Sequence, residues 1–174
     1  MKPVLAAMGA LFLIMLVYAW MDGKFGVSPT LNRNTREKLI YFEPEGRIGM
    51  GEEKSFEIKA NFKDGAIGSF DLEFQYDPTV IRVSEVKVNK NKFDQVVLED
   101  IDEDFGKIRI RAESSQLGAS LAGGVIDLAT IKIRGLKKGG VIISSSKKAE
   151  VGVWEEGKIG MSVFQFLDFK VTVL

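Results

Sequence analysis

The stretch Gly65-Ala-Ile-Gly-Ser-Phe-Asp-Leu-Glu-Phe-Gln-Tyr-Asp-Pro-Thr-Val-Ile-Arg-Val-Ser-Glu-Val-Lys-Val88 decides the fold. Phe70, Leu72, Phe74 and Tyr76 alternate with Asp71, Glu73 and Gln75. That period of two fits a half-buried β-strand, because a helix would scatter the rings around its circumference. The four apolar residues are expected at the centre of a core, with the polar three on a wet face. Asp77-Pro78 ends the strand, since proline has a fixed φ and no N–H for a ladder. Val80 to Val88 opens a second apolar run, so the stretch reads as strand, turn and strand in one sheet-building unit.

The same period extends in both directions. Phe56, Ile58, Ala60 and Phe62 alternate with Ser55, Glu57, Lys59 and Asn61. Ile108, Ile110 and Ala112 alternate with Lys107, Arg109 and Arg111, and the weaker run Phe93 to Leu98 is expected to form a hairpin with them. In Val125 to Arg134 the apolar residues change phase: Ile126 and Leu128 share one, while Ala129, Ile131 and Ile133 share the other. A bulge near Leu128 would turn both sets inward. Lys137-Lys138-Gly139-Gly140 reads as a turn before a strand at Val141 to Ser146, and Phe164 to Leu174 as a closing strand. Lys38 to Phe42 is a first strand, ended by Pro44 and three glycines; the short connection favours pairing within its own domain over donation to a neighbour. Seven to ten strands without a convincing soluble helix make an all-β sandwich.

Composition narrows the functional classes. Twenty-four basic residues balance twenty-four acidic ones, so no global field draws the chain to nucleic acid. The sequence contains neither cysteine nor histidine. Disulfides, thiolate nucleophiles, the usual neutral-pH general base and the commonest transition-metal ligand are therefore missing. No catalytic residue and no cofactor is expected.

Pro3 to Met21 is a run of nineteen uncharged residues, enough at about 1.5 Å per residue to cross a bilayer's hydrocarbon. Residues 1–21 are expected to form a hydrophobic helix that meets a membrane. Val17-Tyr18-Ala19 has the spacing of a signal-peptidase site, whereas Tyr18 and Trp20 suit the interfacial belt of a retained anchor, and both readings are open. Either one places the remainder outside the cytoplasm, as a membrane-anchored or secreted domain. Residues 22–37, with Gly23, Gly26, Pro29, Asn32 and Asn34, have the composition of a flexible linker.

Several constellations invite chemistry and are answered by spacing. Asp100, Asp102 and Asp104 alternate as hard oxygen ligands would, a weak calcium candidate. Phe105 stands where the tight-turn glycine of an EF-hand belongs, and Arg111 where its closing glutamate belongs, so a solvated acidic turn is the plainer reading. Glu155 and Glu156 are adjacent and, on an extended strand, point to opposite faces, unlike a glycosidase pair. Trp154 could be a sugar-stacking platform, although a half-buried rim or core position is commoner.

The order Gly51-Glu-Glu-Lys-Ser-Phe-Glu-Ile58, Gly68-Ser-Phe-Asp-Leu-Glu-Phe-Gln-Tyr-Asp-Pro-Thr-Val-Ile81, Gly106-Lys-Ile-Arg-Ile110 and Gly124-Val-Ile-Asp-Leu-Ala-Thr-Ile-Lys-Ile133 resembles the cohesin family and its carbohydrate-binding-module relatives over residues 38–174. The resemblance implies a jelly-roll-like β-sandwich of about nine strands without catalysis, extracellular, in which one flat sheet face binds a dockerin module that brings its own calcium. On that basis the outward residues Asp71, Glu73, Gln75, Arg109 and Arg111 are candidates for a polar recognition face. The expected partner is a protein, a dockerin-like module or an envelope protein. The alternatives are a carbohydrate-binding module for surface or wall polysaccharide, and a structural subunit of an envelope assembly. A row of coplanar surface aromatics would favour glycan, a flat charged sheet protein.

Overall fold

The computed structural model describes residues 38–63, 65–115, 124–155 and 158–174. The expected N-terminal helix at 1–21 and linker at 22–37 lie outside the described residues.

Twelve strands follow one another among these residues: β1 (Leu39–Glu43), β2 (Gly46–Ile48), β3 (Glu53–Phe62), β4 (Gly65–Gln75), β5 (Ile81–Val88), β6 (Gln95–Asp102), β7 (Lys107–Glu113), β8 (Gly124–Gly135), β9 (Gly139–Ser145), β10 (Ala149–Glu155), β11 (Lys158–Phe166) and β12 (Phe169–Val173). Hydrogen bonding runs β2-β12-β9-β4-β10-β11-β1-β3-β8-β5, and β7, carrying β6, branches from β4. The path folds into two facing layers: a front layer of β6-β7-β4-β10-β11 and a back layer of β1-β3-β8-β5, with β9-β12-β2 continuing from β4.

Alternation decides which side of each strand is dry. Phe70, Leu72, Phe74 and Tyr76 are all buried, as are Phe56, Ile58, Ala60 and Phe62 on β3. The two layers meet through rings: Phe42 packs edge-on against Phe74 at 5.6 Å and stacks on Phe169 at 4.7 Å, while Phe70 meets Phe93 at 4.8 Å. The bulge expected near Leu128 is present. Ile58 pairs with Ala129 but Lys59 with Asp127, so Leu128 is the extra residue, and Ile126, Leu128, Ala129, Ile131 and Ile133 are all buried.

β1 pairs within its own domain, antiparallel to β3 from Leu39↔Asn61 to Glu43↔Glu57 and parallel to the end of β11 at Leu39↔Gln165 and Ile40↔Phe166.

Four expectations are corrected. Among the described residues there are twelve strands rather than about nine, because β2 has only three residues, β10 buries Val151, Gly152 and Val153 in succession and so shows no alternation, and the end of the chain forms two strands, broken between Phe166 and Phe169. β4 and β5 are not neighbours but stand in different layers: β5 pairs with β8, and β4 with β7, β10 and β9. The Asp77 carboxylate accepts hydrogen bonds from Thr79 N at 2.8 Å and Thr79 Oγ1 at 2.7 Å, and its carbonyl from Val80 N at 3.2 Å. This turn sends the chain across the sandwich. Phe93 lies before β6 rather than in it, and the strand continues through Asp102, taking in residues expected in an acidic turn. Gly139 and Gly140 begin β9 instead of forming a turn.

Gly106 holds the junction between β4 and β7. Its φ is +62°, its carbonyl accepts from Tyr76 N at 2.8 Å, and a Cβ there would stand 2.1 Å from the Tyr76 carbonyl oxygen. Gly106→Ala is expected to destabilise the domain by more than about 1 kcal/mol in urea unfolding. Phe74→Ala, at a fully buried ring, should cost about 3–5 kcal/mol, whereas Glu73→Ala one residue away should stay within about 0.5 kcal/mol. Equal losses at positions 73 and 74 would contradict the register.

Candidate interaction face

β7 lies antiparallel between β4 and β6, and the pairing fixes which outward side chains are neighbours. Asp71 stands opposite Arg111, Glu73 opposite Arg109 and Gln75 opposite Lys107. On the other flank Arg111 faces Leu98, Arg109 faces Asp100 and Lys107 faces Asp102. Opposed residues of an antiparallel pair share a face. All five sequence-derived candidates, Asp71, Glu73, Gln75, Arg109 and Arg111, are therefore brought together.

The face is striped by charge. A basic column on β7 (Lys107, Arg109, Arg111) lies between acidic columns on β6 (Asp100, Asp102) and β4 (Asp71, Glu73). Arg109 Nη2 and Nε both donate to Asp100 Oδ2, at 2.6 and 3.2 Å. That bond, with the charge of Asp100 and then of Glu73 and Asp102, holds the guanidinium pKa above its usual value. Arg111 Nη2 is 3.6 Å from Glu113 Oε1, and Lys147 Nζ is 3.0 Å from Asp71 Oδ1. Ser146 Oγ donates to Glu73 Oε1 at 2.5 Å, and Ser146 N to the Glu73 carbonyl at 3.1 Å. Gln75 is exposed beside Ser144.

Asp100, Asp102 and Asp104 are not gathered into a calcium site. Asp100 is spent on Arg109, Asp102 Oδ1 accepts from Phe105 N at 3.2 Å, and among the described residues no group of three acidic side chains could hold a metal ion.

On the opposite layer Lys59 Nζ sits among Glu43 at 2.9 Å, Glu57 at 3.0 Å and Asp127 at 3.6 Å. Hydrogen bonds to Glu43 and then Glu57 raise its pKa well above the usual lysine range. The adjoining groove is lined by Ser55, Glu85, Asn89, Thr130 and Lys132 among others, with no aromatic ring. The exposed large aromatics among the described residues are Phe105 and Trp154, far apart in the chain's topology: Phe105 in the β6–β7 turn, Trp154 on β10. Trp154 is a rim residue, 37 % exposed. Among the described residues no row of coplanar rings forms on the surface.

No protein-family model matches the sequence, and no curated protein matches it. Solved structures do. The seventh ScaB type I cohesin from Pseudobacteroides cellulosolvens superimposes with a TM-score of 0.65 at 15% identity, over 78% of this chain and 91% of that one. The sixth cohesin of scaffoldin B from Acetivibrio cellulolyticus, in complex with a Cel5 dockerin, gives 0.65 at 10% identity, over 79% and 99%. The cohesin module of a family 33 glycoside hydrolase from Clostridium perfringens gives 0.60 at 13% identity, over 78% and 97%. The fold is that of a cohesin module.

Within this cohesin-like domain, sequence reasoning found the outward residues of β4 and β7 but missed those that flank them. Lys147 and Ser146 sit between β9 and β10, where no periodicity marks them. Ile159, Met161 and Val163 on β11 are 63, 66 and 57 % exposed, and their alternation was the signal available.

The ion pairs of the face are exposed, and such pairs contribute about 0–1 kcal/mol each. Arg109→Ala and Arg111→Ala should therefore leave thermal unfolding within a few degrees of the parent. A large loss of stability in either variant would make the stripe a folding element rather than a recognition surface.

Proposed function

We propose that this is a non-catalytic binding module that docks a protein partner of dockerin type over the outward face of β6, β7 and β4. The observation that carries the reading is the alternating acidic, basic and acidic columns on a three-strand surface. Paired surface charges add little to folding, yet they fix the orientation of a partner and penalise the wrong one. A partner that aligns carboxylates with Lys107, Arg109 and Arg111 would meet a complementary column; one in the wrong register would set like charges together. The solved cohesin neighbour bound to a dockerin supports the partner class. The shortage of exposed aromatics weighs against the glycan reading.

The uncharged run at Pro3 to Met21 supports export and a tether to a membrane, with the binding module outside the cytoplasm. In that setting the module holds its partner at the cell envelope.

The test is capture from solubilised envelope by the full chain, followed by affinity measurement on the retained protein. Arg109→Glu combined with Arg111→Glu should weaken that binding at least tenfold, while Ile142→Ser, on the exposed side of β9, should not. Equal binding by the charge-reversed chain would overturn the proposed face. Retention of polysaccharide with no protein partner would favour the glycan reading.

A further inference from the structure

Among the described residues, β11 is for most of its length an edge strand that is almost undefended. β10 pairs with it from Ala149↔Phe164 to Glu155↔Lys158. On its other side β1 reaches only Gln165 and Phe166, and among the described residues no strand pairs with the stretch from Lys158 to Phe164 there. Gln165 N donates to the Lys38 carbonyl and Leu167 N to that of Ile40, both at 2.9 Å. Backbone groups alternate along a strand, so the N–H and C=O of Val163, Met161 and Ile159 point to the same open edge.

Those three residues also carry the exposed apolar side chains. Phe164 is buried, and Ile159, Met161 and Val163 lie in the opposite phase, each more than half exposed. Trp154 stands opposite Ile159 and enlarges the patch. Proteins ordinarily blunt a free edge with charge, proline or a bulge. Between Ile159 and Val163 there is no charge and no proline, and the pairing with β10 has no register shift.

We propose that this edge pairs with the same edge of a second copy of the chain, antiparallel and centred on Met161. Backbone and side chains are both symmetric about that residue. Centring there sets Met161 against Met161, Ile159 against Val163 and Val163 against Ile159, so every apolar side chain meets another. It also brings all three outward N–H and C=O pairs into hydrogen-bonding position. Centring on Ser162 sets Ile159 against position 165, which is already bonded to Lys38, and centring on Gly160 sets Val163 against position 157, before β11 begins, so either forfeits a pair. The contact is isologous, so it closes as a dimer and does not propagate.

Lys38 bounds the pairing at each end. Its ammonium is held by Glu155 at 3.1 Å and Ser162 at 3.2 Å, so it brings no unpaired charge to the contact. Five residues per copy form an interface well below the roughly 1,200 Å² of a stable complex. The dimer is accordingly weak in dilute solution and gains from a shared tether that raises the local concentration. The chain's own preceding residues are poorer occupants. Arg33-Asn34-Thr35-Arg36-Glu37, which leads into β1, offers no apolar side chain. This inference is independent of the partner face on β4, β6 and β7.

The protein lacks cysteine, so single thiols report geometry cleanly. In the full chain, in membranes or mild detergent, Met161→Cys should form a disulfide-linked dimer on mild oxidation. The expected rate is at least tenfold above that of Ile142→Cys, a position on β9 that is also more than half exposed. Opposed Cα atoms about 5.5 Å apart lie within disulfide range. Ile159→Cys and Val163→Cys should each link poorly alone and readily when mixed. Met161→Asp should abolish self-association in sedimentation while leaving thermal unfolding unchanged. Equal rates at positions 142 and 161, or monomers throughout, would overturn the proposal. So would an intrachain link between Thr35→Cys and Met161→Cys, which would show the edge covered by the chain's own N-terminal side.

Discussion

Phe42 meets Phe74 across the sandwich, and the rest of the domain keeps that contact dry. Phe74 also packs on Phe166 at 4.9 Å, and Phe42 on Phe166 and Phe169 at 5.8 and 4.7 Å. These four rings come from β4, β1 and the two strands at the end of the chain, so one cluster ties together segments more than a hundred residues apart. With no disulfide to close loops, long-range order rests on burial of such rings, each a large share of a total stability of about 5–15 kcal/mol. β1 is accordingly more than a lead-in strand. Its short run supplies Ile40 and Phe42 to the core, and its backbone joins β3 of the back layer to β11 of the front one.

The strands that face this core were legible because one side is wet and the other dry. β3 and β7 alternate throughout and β4 does so from Ser69 onward, and the change of phase in β8 marks the bulge at Leu128. Pairing itself was not legible. A hairpin and a crossover leave the same local trace, a strand, a turn and a strand, so β4 and β5 read as neighbours although Asp77 and Thr79 turn the chain into the other layer. β2 is too short for periodicity to register. β11 escaped for a different reason: Ile159, Met161 and Val163 are apolar and outward while Ser162 faces in, which inverts the assumption that the apolar phase is the buried one.

The recognition face divides in the same way. That Asp71, Glu73 and Gln75 point outward follows from the burial of Phe70, Leu72 and Phe74, and the same argument turns Arg109 and Arg111 outward on β7. That the two sets are neighbours depends on β7 lying beside β4, a long-range pairing no local pattern encodes. Asp100 and Asp102 looked like loop oxygens because acidic residues depress strand propensity. Cross-strand arginine and lysine on β7 offset that cost, and β6 extends through them.

The free edges of the domain differ in how they are protected, and the difference has consequences for association. β6, at the front edge, ends in Glu99, Asp100, Ile101 and Asp102, and β5, at the back edge, carries Arg82, Glu85 and Lys87. A second strand approaching either would have to desolvate several charges, some already engaged, as Arg82 is with Glu103 at 3.2 Å and Lys87 with Glu85 at 2.5 Å. The open stretch of β11 asks for no such desolvation beyond Lys158. Since backbone hydrogen bonds are much the same at any edge, side-chain desolvation decides which edge can pair. Charge on β5 and β6 therefore both keeps those edges solitary and, on β6, builds one column of the face proposed for a partner. The same residues that repel a stray strand are thus available to orient a specific protein, while β11 is left for contacts that need no charge at all.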